Sequence, residues 1–105
     1  MGKIFPVKYS FHPEARAEFY QSVDYYDERE QGLGYDFAVE VFAAIERAAA
    51  YPEMWPLAHP GIRRCLVRRF PYGILYHYPQ NGDEVLVVAV MHLHREPEYW
   101  IARCE

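Results

Sequence analysis

Four residues close to the end of the chain, His92, His94, Arg95 and Tyr99, carry the side chains that a phosphoryl-transfer site needs, and they stand within one short stretch. An imidazole exchanges a proton near neutral pH. A guanidinium stabilises charge that develops on a phosphorus centre, and a tyrosine adds a hydroxyl and a ring on which a base can stack. These are the candidate catalytic residues if the chain is a nuclease. The same residue types also serve a plainer purpose: His92 ends an apolar run, and Tyr99 with Trp100 can pack against a helix. Spacing alone leaves both readings open.

His92 and His94 share a parity on one extended segment and His77 stands on the segment before it, which is the raw material of a three-histidine zinc site. No acidic residue or cysteine has a matching spacing, and Cys65 is an isolated thiol, so neither a metal nor another cofactor is expected. Ser10 and Ser22 fall at helix-start and helix positions, which argues against a serine nucleophile.

The second candidate is a charge run. Arg63, Arg64, Arg68 and Arg69 lie within seven residues of a chain whose net charge is -4. Residues 1–60 hold five Lys or Arg against ten Asp or Glu, whereas residues 61–105 hold six Arg against five acids. A local basic stripe on an acidic protein can meet a phosphate or carboxylate partner. Arginines at a sheet edge also keep that edge soluble, which is the competing explanation.

These groups are positioned by a compact set of elements. At 105 residues, 51% hydrophobic and 17% aromatic, the chain is expected to be one folded domain, residues 1–105. Two cysteines are too few for a disulfide framework. No basic leader with an apolar run follows Met1, and no stretch reaches the about 20 apolar residues of a membrane span, so a cytoplasmic location is expected. Three strands are read at Leu66–Phe70, Tyr72–Tyr78 and Val85–Met91, with Asn81-Gly82 reversing the last hairpin and Pro71 at a strand start. Ile4–Tyr9 makes a first strand, closed by the His12-Pro13 step. Pro13 and Glu14 suit a helix start, and Ala15, Phe19, Val23 and Tyr26 recur at helical spacing over about eighteen residues. Gly32 and Gly34 break that helix. A second helix runs from about Tyr35 to Ala50, with Phe37, Val41, Ala44, Ile45 and Ala48 on one face. Three prolines make Tyr51–Pro60 an ordered loop. The expected fold is α+β, a helical hairpin packed on a small, mainly antiparallel sheet in the order βααβββ.

Two apolar surfaces exceed what this fold needs. Val85, Val87, Ala89 and Met91 point one way along the last strand and Leu86, Val88 and Val90 the other, so both faces are oily and the helices cover one. Tyr35, Val39 and Phe42 form a second stripe on the second helix. A partner is one cover for them and the segment 51–60 is another; a homodimer is a further expectation.

The residues Arg64-Cys65-Leu66-Val67-Arg68-Arg69-Phe70-Pro71-Tyr72-Gly73-Ile74-Leu75-Tyr76, the strand Val85 to His92 and the ending Arg95-Glu96-Pro97-Glu98-Tyr99-Trp100 together resemble the RelE/ParE superfamily, the toxins of type II toxin–antitoxin, or plasmid stabilisation, modules. The resemblance covers nearly the whole chain and includes the His12-Pro13-Glu14-Ala15 helix start. It implies a cognate antitoxin whose C-terminal segment wraps the toxin, filling apolar grooves and sheet edges. Arg64, Arg68, Arg69, Trp100, Tyr35, Val39 and Phe42 are then the expected partner-binding residues.

Activity divides within that superfamily. RelE-like members are ribosome-dependent mRNA endonucleases, or mRNA interferases, and ParE-like members inhibit DNA gyrase. The nuclease pattern places an arginine just after the strand tyrosine and lysines in mid-chain. Here Gly73 follows Tyr72, and Lys3 and Lys8 are the only lysines. A gyrase inhibitor is therefore the preferred expectation, with the nuclease and an inactive antitoxin-binding relic as alternatives.

Overall fold

A computed structural model describes residues 8–79 and 84–104. The chain runs β1 (Lys8–Phe11), α1 (Pro13–Arg29), α2 (Leu33–Ala50), β2 (Leu57–His59), β3 (Ile62–Leu66), β4 (Tyr72–His77) and β5 (Glu84–His92), ending in a 3-10 turn at Ile101–Cys104. The strands form one sheet in the order β1-β5-β4-β3-β2, antiparallel except where β1 runs parallel to β5. This is the expected α+β fold with one short edge strand added. The expected start of the first strand, residues 4–7, and the Asn81-Gly82 turn lie outside the described residues.

The helical hairpin follows from its sequence. The Nδ1 atom of His12 accepts a hydrogen bond from the Glu14 amide (3.1 Å), Pro13 occupies the first helical position, and Glu14 meets the positive end of the helix. Gly32 adopts φ 88°, a left-handed conformation that reverses the chain into α2. The Asp27 carboxylate, one helix earlier, accepts from the amides of Gly32 (3.1 Å) and Gly34 (3.2 Å), and so caps α2 from outside it. Gly34 is buried because a Cβ there would sit 2.5 Å from the Val23 carbonyl oxygen: the helices touch at their backbones.

Helix burial matches the apolar spacing. Ala15 and Phe19 of α1, and Phe37, Val41, Ala44, Ile45 and Ala48 of α2, are buried against Tyr72, Ile74 and Tyr76 of β4. Phe37 is gripped by the rings of Phe19, Tyr26, Phe70 and Tyr72, with centroids 4.8–6.2 Å away.

Four expectations need correction. The first meander strand is Ile62–Leu66, not Leu66–Phe70. Arg69 takes φ 71°, which no strand can continue through, and the apolar residues Val67 and Phe70 are there because a connecting loop folds them onto the helices. Within the expected loop 51–60, Leu57–His59 pairs with β3 as a short, irregular edge strand. The parity of β5 breaks in its middle. Leu75 pairs with Ala89 while Tyr76 pairs with Val87, so Val88 is an extra residue, a bulge that flips the alternation. Val85, Val87 and Val90 face the helices, and Leu86, Val88, Ala89 and Met91 face the other side. Finally, that far side is not bare. Trp100 lies on it, 1% exposed, packed with Ile62, Leu75, Val88, Ala89 and Met91, and flanked by Tyr99 and Ile101. The chain covers both faces of its own sheet.

Candidate functional site

The tail cluster sits where β5 leaves the sheet. His92 closes that strand opposite Tyr72, and its ring stands edge-on to the Tyr72 ring at 5.1 Å. The chain then turns, with the Arg95 amide bonded to the His92 carbonyl (3.0 Å). The His94 amide donates to His92 Nδ1 (3.1 Å) and the two imidazoles lie 5.1 Å apart, so the histidines form a pair in which His92 keeps Nε2 for another partner and the His94 ring is not used by the bond.

Arg95 and Tyr99 turn the other way, toward α1. The Arg95 guanidinium lies 3.7 Å from the Tyr99 ring centroid and 3.5 Å from Glu18 Oε2. The Tyr99 hydroxyl donates to the same Glu18 oxygen. Burial, and then this bond to a carboxylate, raise the Tyr99 hydroxyl well above the ordinary phenol range. It is thus a committed donor at neutral pH. Glu18 Oε1 in turn accepts from the Val90 amide (3.1 Å) and from Arg103 Nη1 (2.7 Å). Arg103 also donates to the Val88 carbonyl (3.0 Å) and pairs with Glu14 (3.1 Å). Glu18 and Arg103 were invisible as site residues in the sequence. Glu18 occupies a polar position of an amphipathic helix, and its partners lie more than seventy residues away.

The geometry separates the four candidate catalytic residues into two pairs. Arg95 and Tyr99 are engaged with Glu18, and the histidines with each other. His77 is remote from both, since it pairs with Ile62 and Leu86 at the opposite end of β4 from the Tyr72–His92 pair. Among the described residues no group of three or more His, Cys, Asp or Glu side chains could hold a metal ion. The Cys65 thiol is buried, and burial pushes its pKa up, which makes it a poor nucleophile.

The arginine run lies along the opposite edge of the sheet. Arg63 Nη1 donates to the Trp55 carbonyl (2.7 Å) and so ties the loop 51–56 to β3. Arg64 is exposed and its stem crosses Gly73: a Cβ at Gly73 would lie 3.2 Å from Arg64 Cγ and Cδ. The absence of a side chain at Gly73 therefore lets Arg64 reach a groove of about 190 Å³ bounded by Leu57, Leu75, Met91 and Trp100. Arg64 and Arg68 also border a more apolar hollow of about 360 Å³ with Trp55, Leu66 and Arg47, whose Nη2 donates to the Leu66 carbonyl (2.9 Å). Arg69 is turned toward α2, 3.8 Å from Asp36 and 4.0 Å from Glu40.

The remaining expected partner residues divide. Tyr35 (72% exposed) and Val39 (46%) do present an apolar stripe to solvent. Phe42 is part-buried, with its ring against Tyr9 and Phe19. Trp100 is in the core, its Nε1 bonded to the Pro97 carbonyl (2.7 Å).

Known proteins agree with this arrangement at the level of sequence family and fold. The family described as the ParE toxin of the type II toxin–antitoxin system parDE matches over residues 9–97. No curated protein matches the chain in sequence. Among solved structures, one from the chromosomal ParDE TA system of P. aeruginosa superposes with a TM-score of 0.71, covering 84% of this chain and 97% of that one at 13% identity. At that identity the superposition speaks to the fold alone, the same helical hairpin on the same sheet. The family match spans most of the chain, from β1 past the tail histidines to Pro97, and on it this protein belongs to the ParE toxin family of type II toxin–antitoxin systems.

Proposed function

We propose that the protein is a toxin that acts by contact, inhibiting DNA gyrase, and that a cognate antitoxin neutralises it. The observation that carries contact over catalysis is the Glu18 carboxylate. It takes up the Tyr99 hydroxyl and the Arg95 guanidinium, two of the groups an RNA-cleaving site would need free. In-line attack by a 2'-hydroxyl requires a base, an acid and cations around one phosphorus. Here the Tyr99 hydroxyl is held by an anion and adds no free proton donor to the histidines. The Gly73 position adds to this: it holds no cation of its own, and the space above it is filled by the Arg64 stem.

The contact surfaces are the exposed arginines Arg64 and Arg68 with their apolar hollow, and the Tyr35–Val39 stripe of α2. An antitoxin segment bearing acidic and apolar residues suits the first, and an apolar helix face suits the second. The test uses purified protein, gyrase and relaxed plasmid. Supercoiling should be inhibited, Arg64→Glu with Arg68→Glu should weaken inhibition at least tenfold, and antitoxin should restore supercoiling. Undisturbed supercoiling at micromolar protein would overturn the gyrase assignment.

A further inference from the structure

Beyond the bulge, no strand among the described residues pairs with one side of β5. β1 pairs with Glu84 to Val87, and the His12 amide makes the last backbone bond, to the Val87 carbonyl (2.8 Å). The next groups along that edge are satisfied by side chains. The bulge carbonyl of Val88 accepts from Arg103, and the Val90 amide donates to Glu18. Two charged residues thus stand where a strand would, one from α1 and one from the end of the chain.

The segment that supplies Arg103 is joined to the body in an unusual way. Its backbone bonds close on itself, Ile101 to Glu98 and Arg103 to Trp100, and Trp100 Nε1 bonds Pro97. Three side-chain ties to the rest of the molecule, from Arg95, Tyr99 and Arg103, converge on the one carboxylate of Glu18. Glu18 and Arg103 side chains are only 11% and 10% exposed. Part-buried ion pairs of this kind contribute little net stability against an apolar substitute, but breaking one by removing a partner is costly. The apolar tie is Trp100, which sits in the smaller core on the far face, apart from the helix-covered core.

We propose that residues 95–104 form a strap latched over the far face of the sheet, with Glu18 as the latch. Loss of the Glu18 contacts opens the strap as a unit while the helices and β3–β4 stay folded. Opening lifts Trp100 off Leu75, Val88 and Met91 and returns the Val88 carbonyl and Val90 amide to solvent as a bare strand edge. The device concerns the fold and stands whether or not gyrase is the target.

Native-state amide exchange on the full chain tests it, comparing wild type with Glu18→Gln, which keeps the side chain's shape and removes its charge. The expected result is at least tenfold faster exchange at Val90, Ile101 and Arg103, with Val41 of α2 and Ile74 of β4 unchanged. Equal acceleration at all five positions would show that the segment is part of the cooperative core, and no acceleration at any would show that Glu18 does not hold it; either overturns the proposal. Should Glu18→Gln not fold, Tyr99→Phe, which removes one of the latch contacts and leaves Glu18 charged, gives the same comparison, with exchange at the strap positions faster by up to about thirtyfold. In a Trp55→Phe background Trp100 is the only tryptophan. Its acrylamide quenching should rise at least twofold with Glu18→Gln, and unchanged quenching would contradict opening.

Discussion

Replacing Tyr99 by phenylalanine removes one oxygen and separates a structural tyrosine from a catalytic one. The hydroxyl donates to a carboxylate whose side chain is 11% exposed, so the bond is charge-assisted and shielded from solvent. Hydrogen bonds to charged groups contribute about 1.5–3 kcal/mol. Glu18 retains Arg103, Arg95 and the Val90 amide after the substitution, so no buried charge is left alone and the lower half of that range applies. A loss of about 2 kcal/mol, roughly thirtyfold in the folding equilibrium, is expected. For a domain of this size it corresponds to about 8 °C in melting temperature. The ring, and the stacking of Arg95 on it, survive. Urea unfolding followed by circular dichroism measures the loss, and growth arrest at a temperature where both proteins are folded measures the activity. Retained arrest with the expected destabilisation fits a pin. A variant as stable as wild type but inert would refute the assignment, because the hydroxyl would then be acting on a target rather than on Glu18.

The two buried glycines should respond differently to alanine. At Gly34 the intrinsic helix gain of about 1 kcal/mol is outweighed by a Cβ 2.5 Å from a backbone oxygen that cannot move without parting the helices, and a net loss of about 1–2 kcal/mol should appear in urea unfolding. At Gly73 the neighbour is the flexible, exposed Arg64 stem, so the change should stay within about 0.5 kcal/mol. Alkaline stability follows from the buried phenols: burial, with Tyr72 beside it, raises Tyr26 to about 12, and burial likewise raises Tyr76 and Tyr99. Their stabilisation is complete below the unfolded value of about 10 and is lost as pH rises toward the folded values, and the buried Cys65 thiol, also raised, adds a smaller loss that begins at about pH 9. The melting temperature should therefore fall gently from about pH 9 and steeply above about pH 10; a melting temperature unchanged up to about pH 11 would contradict this.

The helices were legible because their cores are built from residues at 3.6-residue spacing, and all five α2 positions read that way are fully buried. β4 was legible because Tyr72, Ile74 and Tyr76 alternate onto one face. β3 was hidden by its own chemistry. Arg63 and Arg64 stand in mid-strand, one bonded to a loop carbonyl and one lying across Gly73, so the segment reads as a charge run. The bulge at Val88 was invisible because every residue of β5 near it is apolar, and alternation carries no phase in such a run. The far face was misjudged for a related reason. Nothing local assigns Trp100 to it, because the residues it packs against there, Ile62, Leu75 and Val88 among them, are distant in sequence. Of the site, residue types were readable and pairings were not: Tyr99 and Arg95 look the same in sequence whether they face a substrate or Glu18.

Contact action rather than RNA cleavage is tested most directly by the double substitution His92→Gln with His94→Gln, expressed beside the wild type without antitoxin. Plasmid supercoiling and the integrity of ribosome-bound messages are measured in the same cells. Glutamine keeps hydrogen bonding and removes the titrating group. Arrest by both proteins, with altered supercoiling and intact messages, is the predicted result. Messages cut at ribosomes by the wild type and left whole by the double variant would contradict it.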